Sequence, residues 1–127
     1  MTHTTRASAH AAHDGPPDEM RAAALLARRA GGERLYSRMV DAFGSAARER
    51  LASMRAAAGA GQHAEVARLA HAMRGSAAQM GAHAMRDAAA ELETVTDERR
   101  RGELLGELTE ALARTERWLE ALLQEAR

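Results

Sequence analysis

Apolar residues along this chain recur every third or fourth position, the spacing that gathers them on one side of a helix. No segment shows the strict alternation of a half-buried strand, and no internal repeat is visible. Pro16-Pro17 followed by Asp18 and Glu19 marks a helix start. Proline is tolerated in a first turn, and acids there face the positive end of the helix dipole. This first helix is expected over about 17–29 and stops at Gly31-Gly32. A second is expected over about 33–58, with Leu35, Tyr36, Met39, Phe43, Ala47, Met54 and Ala58 on one side. Gly44 in its middle costs about 1 kcal/mol of helix propensity, which points to close packing or a local weakness. Gly59-Ala60-Gly61 ends it.

The third helix is expected over about 62–80, ending at Gly81, with Val66, Leu69, Ala70, Met73, Ala77 and Met80 in one core-facing stripe. The fourth spans about 83–95 and turns Met85, Ala88, Ala89 and Leu92 inward. A charged turn, Thr96-Asp97-Glu98-Arg99-Arg100-Arg101, leads to a long last helix; its Arg run reads as a solvated loop or helix start. Leu104, Leu105, Leu108, Leu112, Leu119, Leu122 and Leu123 form the stripe of that helix, with Trp118 at its border. The pattern predicts an all-α fold, an antiparallel four-helix bundle with an additional short N-terminal helix. Residues 1–15 lack periodicity, carry His3, His10 and His13, and read as a disordered N-terminal tail; 16–127 form the bundle.

Composition narrows the chemistry. A chain of 127 residues with 46% apolar content suits one domain with a proper core, and 2% aromatic content favours Leu, Met and Ala packed in helices over a sheet. The absence of Cys removes disulfides, thiolate metal sites and cysteine nucleophiles, and suits the cytosol. Basic and acidic residues number 18 each, so the formal charge of zero argues against a nucleic-acid binder. All the basic residues are Arg, which reads as compositional bias. Neither a signal-peptide core nor a membrane-length apolar run is present, so no membrane association is expected and the expected location is cytoplasmic.

The third helix has an unusual second face. Ala64, Ala67, His71, Gly75 and Ala78 cluster opposite the core stripe, where a solvated helix would ordinarily carry long polar side chains. A glycine inside a helix is unfavourable and needs a reason. Access supplies one: small neighbours let another protein approach the imidazole closely. Arg74, three residues on, could place its guanidinium beside a phosphate on the ring. If the third and fourth helices form an antiparallel hairpin about Gly81-Ala82, His71 and Glu93 lie level, with Ala82 as their midpoint. A carboxylate there would hold one ring nitrogen as a donor and leave the other as a nucleophile.

The stretch Ala70-His71-Ala72-Met73-Arg74-Gly75-Ser76-Ala77-Ala78-Gln79-Met80-Gly81-Ala82 resembles the signature of histidine-containing phosphotransfer (HPt) domains. That signature has a phosphorylated histidine three residues before Lys or Arg, then Gly, a small pair, and Gly-Ala at the helix end. Helix order and length extend the likeness more loosely from about Ala23 to Leu123. The resemblance implies that His71 takes a phosphoryl group at Nε2 from a receiver-domain aspartyl phosphate, or passes one on, within a two-component phosphorelay. It implies that Arg74 steadies the phosphate and that Glu93 orients the ring. A receiver-docking face of Ala64, Ala67, Arg68, Gly75 and Ala78 follows from it. At the Glu93 position many members have Gln; Glu resembles the phosphotransfer domains of chemotaxis-type kinases. The implied partners are a response-regulator receiver domain and a sensor or hybrid histidine kinase. The chain would be a covalently modified phosphocarrier without catalysis or cofactor of its own, the magnesium being carried by the receiver. A monomer is the natural reading, and Met1 with its polar lead favours a freestanding chain.

The remaining candidates read more blandly. His63 and His83 are expected at the surface, Ser76 as a helix-packing residue, and Met73, Met80 and Met85 as core. A diiron bundle needs Glu-x-x-His pairs, and none of the six histidines has Glu three residues before it. HExxH is also absent. The rival readings are an HPt-like bundle that binds and inhibits a receiver or kinase without carrying phosphate, and a structural dimerising bundle.

Overall fold

The first helix begins where Pro17 leaves off. In the computed structural model, which describes residues 15–126, the Pro17 carbonyl accepts the amides of Met20 and Arg21, and Asp18 and Glu19 occupy the first turn. The expected tail with His3, His10 and His13 lies outside the described residues except for Gly15. Helix α1 spans Asp18–Gly59, α2 His63–Gln79, α3 His83–Thr94 and α4 Glu98–Glu125. Among the described residues there is no strand, and no helix is long and apolar enough to cross a membrane.

Helix α1 holds both the first and second expected helices. They meet as expected at the glycine pair: Gly32, with φ of 78° and ψ of −175°, leaves helical space, so α1 is two helices joined across a kink. An L-residue with a side chain strongly disfavours that conformation, so the kink is a glycine property. The arm before the kink turns Met20, Ala24 and Ala27 into the core and leaves Leu25 and Leu26 exposed on its outer side.

Three-residue turns, 60–62, 80–82 and 95–97, join the helices. Such short links force consecutive helices to run antiparallel as neighbours. The first two close in the same way. Gly61 and Gly81 each follow the helix with positive φ. Their amides donate to Ala58 and Ala78, and the next amides, of Gln62 and Ala82, donate to Ala57 and Ala77. This pairing satisfies the orphan carbonyls at both helix ends. At the third turn Asp97 caps α4, its Oδ2 accepting from the Arg100 amide at 2.8 Å. Packing runs α1–α2–α3–α4 and back to α1, a closed ring around one core.

Methionine and leucine fill that core: Met20, Met54, Met73, Met85, Leu104, Leu108 and Leu119 are essentially buried, together with Tyr36. The stripes expected for the third and fourth helices are buried throughout. Gly44 is buried where α1 meets α4. A Cβ there would lie 3.2 Å from Arg48 Nη1 and 3.6 Å from Glu116 Oε2, so a side chain would crowd the ends of that ion pair.

Ion pairs tie the N-terminal arm down. Arg21 donates two bonds to Glu125 at 2.8 and 3.1 Å, and Arg28 donates to the Leu122 carbonyl at 2.8 Å while lying over the Tyr36 ring.

The Arg run is a helix start, one of its two expected roles, but it is not solvated throughout. Arg99 is open to solvent, but Arg100 reaches Glu91, Glu103 and Glu107, and Arg101 is buried with its guanidinium donating to the Val95 carbonyl at 3.1 Å. The helix begins at Glu98, just before the run, so the phase of α4 turns Arg101 inward.

Candidate functional site

The site stands on the outward face of α2, opposite the stripe that anchors the helix. Because α2 and α3 form an antiparallel hairpin about Gly81-Ala82, Glu93 lies level with His71. The ring's Nδ1 is 2.7 Å from Glu93 Oε1. A carboxylate only accepts, so Nδ1 carries the proton and donates it. Nε2 is then left with a free lone pair and, among the described residues, no partner. The His71 side chain is 68% exposed while Glu93 is 18% exposed, so the reactive edge faces water and its orienting group is sheltered.

Arg74 completes the cluster from the Nδ1 side. Its Nε is 2.7 Å from Glu93 Oε2, and its Nη2 lies 3.2 Å from His71 Nδ1. The second contact is proximity, because both groups are donors. Each Glu93 oxygen therefore has its own donor, and the guanidinium offsets the carboxylate's charge. Arg74, expected beside a phosphate on the ring, holds the orienting carboxylate in the unphosphorylated chain.

The small-residue face is open. Ala64, Gly75 and Ala78 are exposed and Ala67 partly so. A Cβ on Gly75 would meet no atom within 4 Å, so nothing inside this fold requires glycine there. Arg68, on the same face, is 66% exposed and grips Glu65 through two bonds of 2.7 Å. That guanidinium holds the Glu65 carboxyl below the usual carboxylate range.

Other candidates fall away from the ring. His63 is exposed. His83 lies 3.4 Å from Glu19, linking α3 to the first turn of α1. Ser76 donates to the Met73 carbonyl at 3.3 Å and lies 3.4 Å from Arg50 Nη1. Met73, Met80 and Met85 are buried in the core. Among the described residues no three His, Cys, Asp or Glu side chains cluster as a metal site.

Arg50 escaped sequence reasoning. It borders a groove of about 250 Å³ between α1 and α2, floored by Met39, Phe43 and Met80. No periodicity on either helix alone signals a groove made by both.

The chain matches the family described as Hpt domain over residues 38–127, more than two thirds of its length. That match takes in α2, α3, α4 and the part of α1 beyond Ser37. No curated protein matched, nor did any solved structure.

Proposed function

The chain belongs to the Hpt domain family, whose members are phosphocarriers in histidine phosphotransfer relays. On that premise we propose that His71 is the phosphorylated residue, exchanging a phosphoryl group with the aspartate of a response-regulator receiver domain. A sensor or hybrid kinase would stand at the far end of the relay. The reading places the chain in the cytoplasm, with magnesium supplied by the receiver. One observation carries it: a sheltered carboxylate fixes Nδ1–H at 2.7 Å and leaves Nε2 open to solvent on a face of small side chains.

The step balances simply. The Nε2 lone pair attacks phosphorus, an N–P bond forms, and the P–O bond to the receiver aspartate breaks with its electron pair returning to that carboxylate. Nδ1 keeps its proton, so the ring becomes cationic and faces the Glu93 carboxylate. Glu93 therefore orients the nucleophile before transfer and stabilises the charged ring after it. Arg74 keeps Glu93 in place.

Phosphotransfer from a panel of phosphorylated receivers, run beside His71→Gln, tests the reading. Acid-labile, base-stable label on the unaltered chain alone supports it. Label retained on His71→Gln overturns it, and receiver binding without any label would favour the inhibitory bundle.

A further inference from the structure

The ring is held by its Nδ1 edge, which turns toward α3, where Glu93 and Arg74 lie. A phosphoryl group on Nε2 would stand on the other edge of the ring, away from the Glu93 carboxylate. Side chains on a helix lean toward its N-terminus, so His71 covers the turn that precedes it. On the exposed face of that turn Ala64 and Ala67 offer no charge, and Arg68 is the one long cation. It sits at i−3 from His71, as Arg74 sits at i+3, on the opposite flank.

We infer that Arg68 grips the phosphoryl group on Nε2, exchanging its two bonds to Glu65 for bonds to phosphoryl oxygens. This rests on His71 being the phosphorylated residue. The Arg68–Glu65 pair is solvent-exposed and lies within one helix, a kind that contributes little to stability and exchanges readily. A phosphoryl dianion offers the same two-pronged geometry with more charge, which favours the exchange. Arg74 then keeps the orienting carboxylate while Arg68 takes the transferred group, so the two guanidiniums divide the work across the ring.

Phosphoramidate tests this without any receiver. The Nε2 lone pair attacks its phosphorus and the P–N bond breaks, the leaving nitrogen taking a proton from water to depart as ammonia. Docking effects are thereby removed. The full chain is compared with Arg68→Ala, Arg68→Lys and Glu65→Gln, reading phosphohistidine half-life and the phosphorus NMR titration of the phosphoryl group. Arg68→Ala should change the half-life about threefold, the size expected of one exposed pair. Its titration midpoint should rise by about half a pH unit, because a guanidinium favours the dianion. Arg68→Lys should fall between, and Glu65→Gln should lower the midpoint by freeing Arg68. A labelled chain whose midpoint and half-life ignore Arg68→Ala overturns the inference and leaves the phosphocarrier reading intact. Failure to label the unaltered chain, with phosphoramidate and receivers alike, overturns both.

Discussion

Gly81 and Glu19 meet backbone to backbone: a Cβ on Gly81 would lie 2.3 Å from the Glu19 carbonyl oxygen. The glycine also has φ of 73°. Both facts follow from its place, since it closes α2 while the first turn of α1 crosses the same corner. A side chain there must strain the turn and push α1 away at once.

Gly81→Ala should therefore destabilise the bundle by about 3 kcal/mol or more. Left-handed backbone costs a non-glycine residue roughly 1–3 kcal/mol, and overpacking against a group that cannot swing aside adds a similar amount. Gly75→Ala should behave oppositely, raising stability by about 0.5–1 kcal/mol because its site is open and helical. Urea denaturation followed by circular dichroism separates the two. Gly75→Gln should keep the helix and block receiver docking, measured by titration with a receiver.

Glu93→Ala removes the acceptor from His71 Nδ1 and the partner from Arg74. A charge-assisted bond contributes roughly 1.5–3 kcal/mol, and exposure of the ring places this one at the lower end, so transfer should slow about tenfold. Glu93→Gln keeps an acceptor and should stay within about threefold, provided its oxygen faces the ring. Initial phosphotransfer rates measure both. Equal rates for all three proteins would remove Glu93 from the site.

Thr115 lies fully buried in α4 with its hydroxyl unpaired. Thr115→Val preserves shape and removes an unsatisfied polar group. Thermal unfolding should show a gain of about 1 kcal/mol.

Acid should loosen the N-terminal arm. The Arg21 guanidinium beside Glu125 holds that carboxyl below the usual carboxylate range. A group with a depressed folded value contributes stability above its unfolded value and loses it as pH falls through the folded one. The difference in Tm between the unaltered chain and Arg21→Ala should thus be flat near neutral pH and vanish under strong acid. High salt should shrink it as well.

Much of the bundle was legible because α2, α3 and α4 separate apolar from polar residues cleanly. Val66, Leu69, Ala70, Met73, Ala77 and Met80 all reach the core, as their phase required. A hairpin about Gly81-Ala82 also makes Glu93 level with His71 by spacing alone. What stayed hidden depends on distant segments meeting. Nothing local announces that Arg21 reaches Glu125, that Glu19 crosses Gly81, or that Arg74 turns to Glu93. Helix α1 was read less well because alanine occupies both of its faces and blurs the periodicity. Leu51 and Ala57, both buried, were missed for that reason. Arg101 was misjudged from composition: three consecutive arginines look solvated, yet three consecutive helical positions necessarily face in different directions.

His71 offers a single open nitrogen on one side of one helix. Under the proposed transfer, a donor receiver and an acceptor receiver need that same patch, and each covers it completely. No ternary assembly can form, so the signal advances only while the bundle is alone between partners. Throughput is then governed by how quickly each encounter ends, and a receiver that clung too tightly would silence the relay as surely as one that failed to bind.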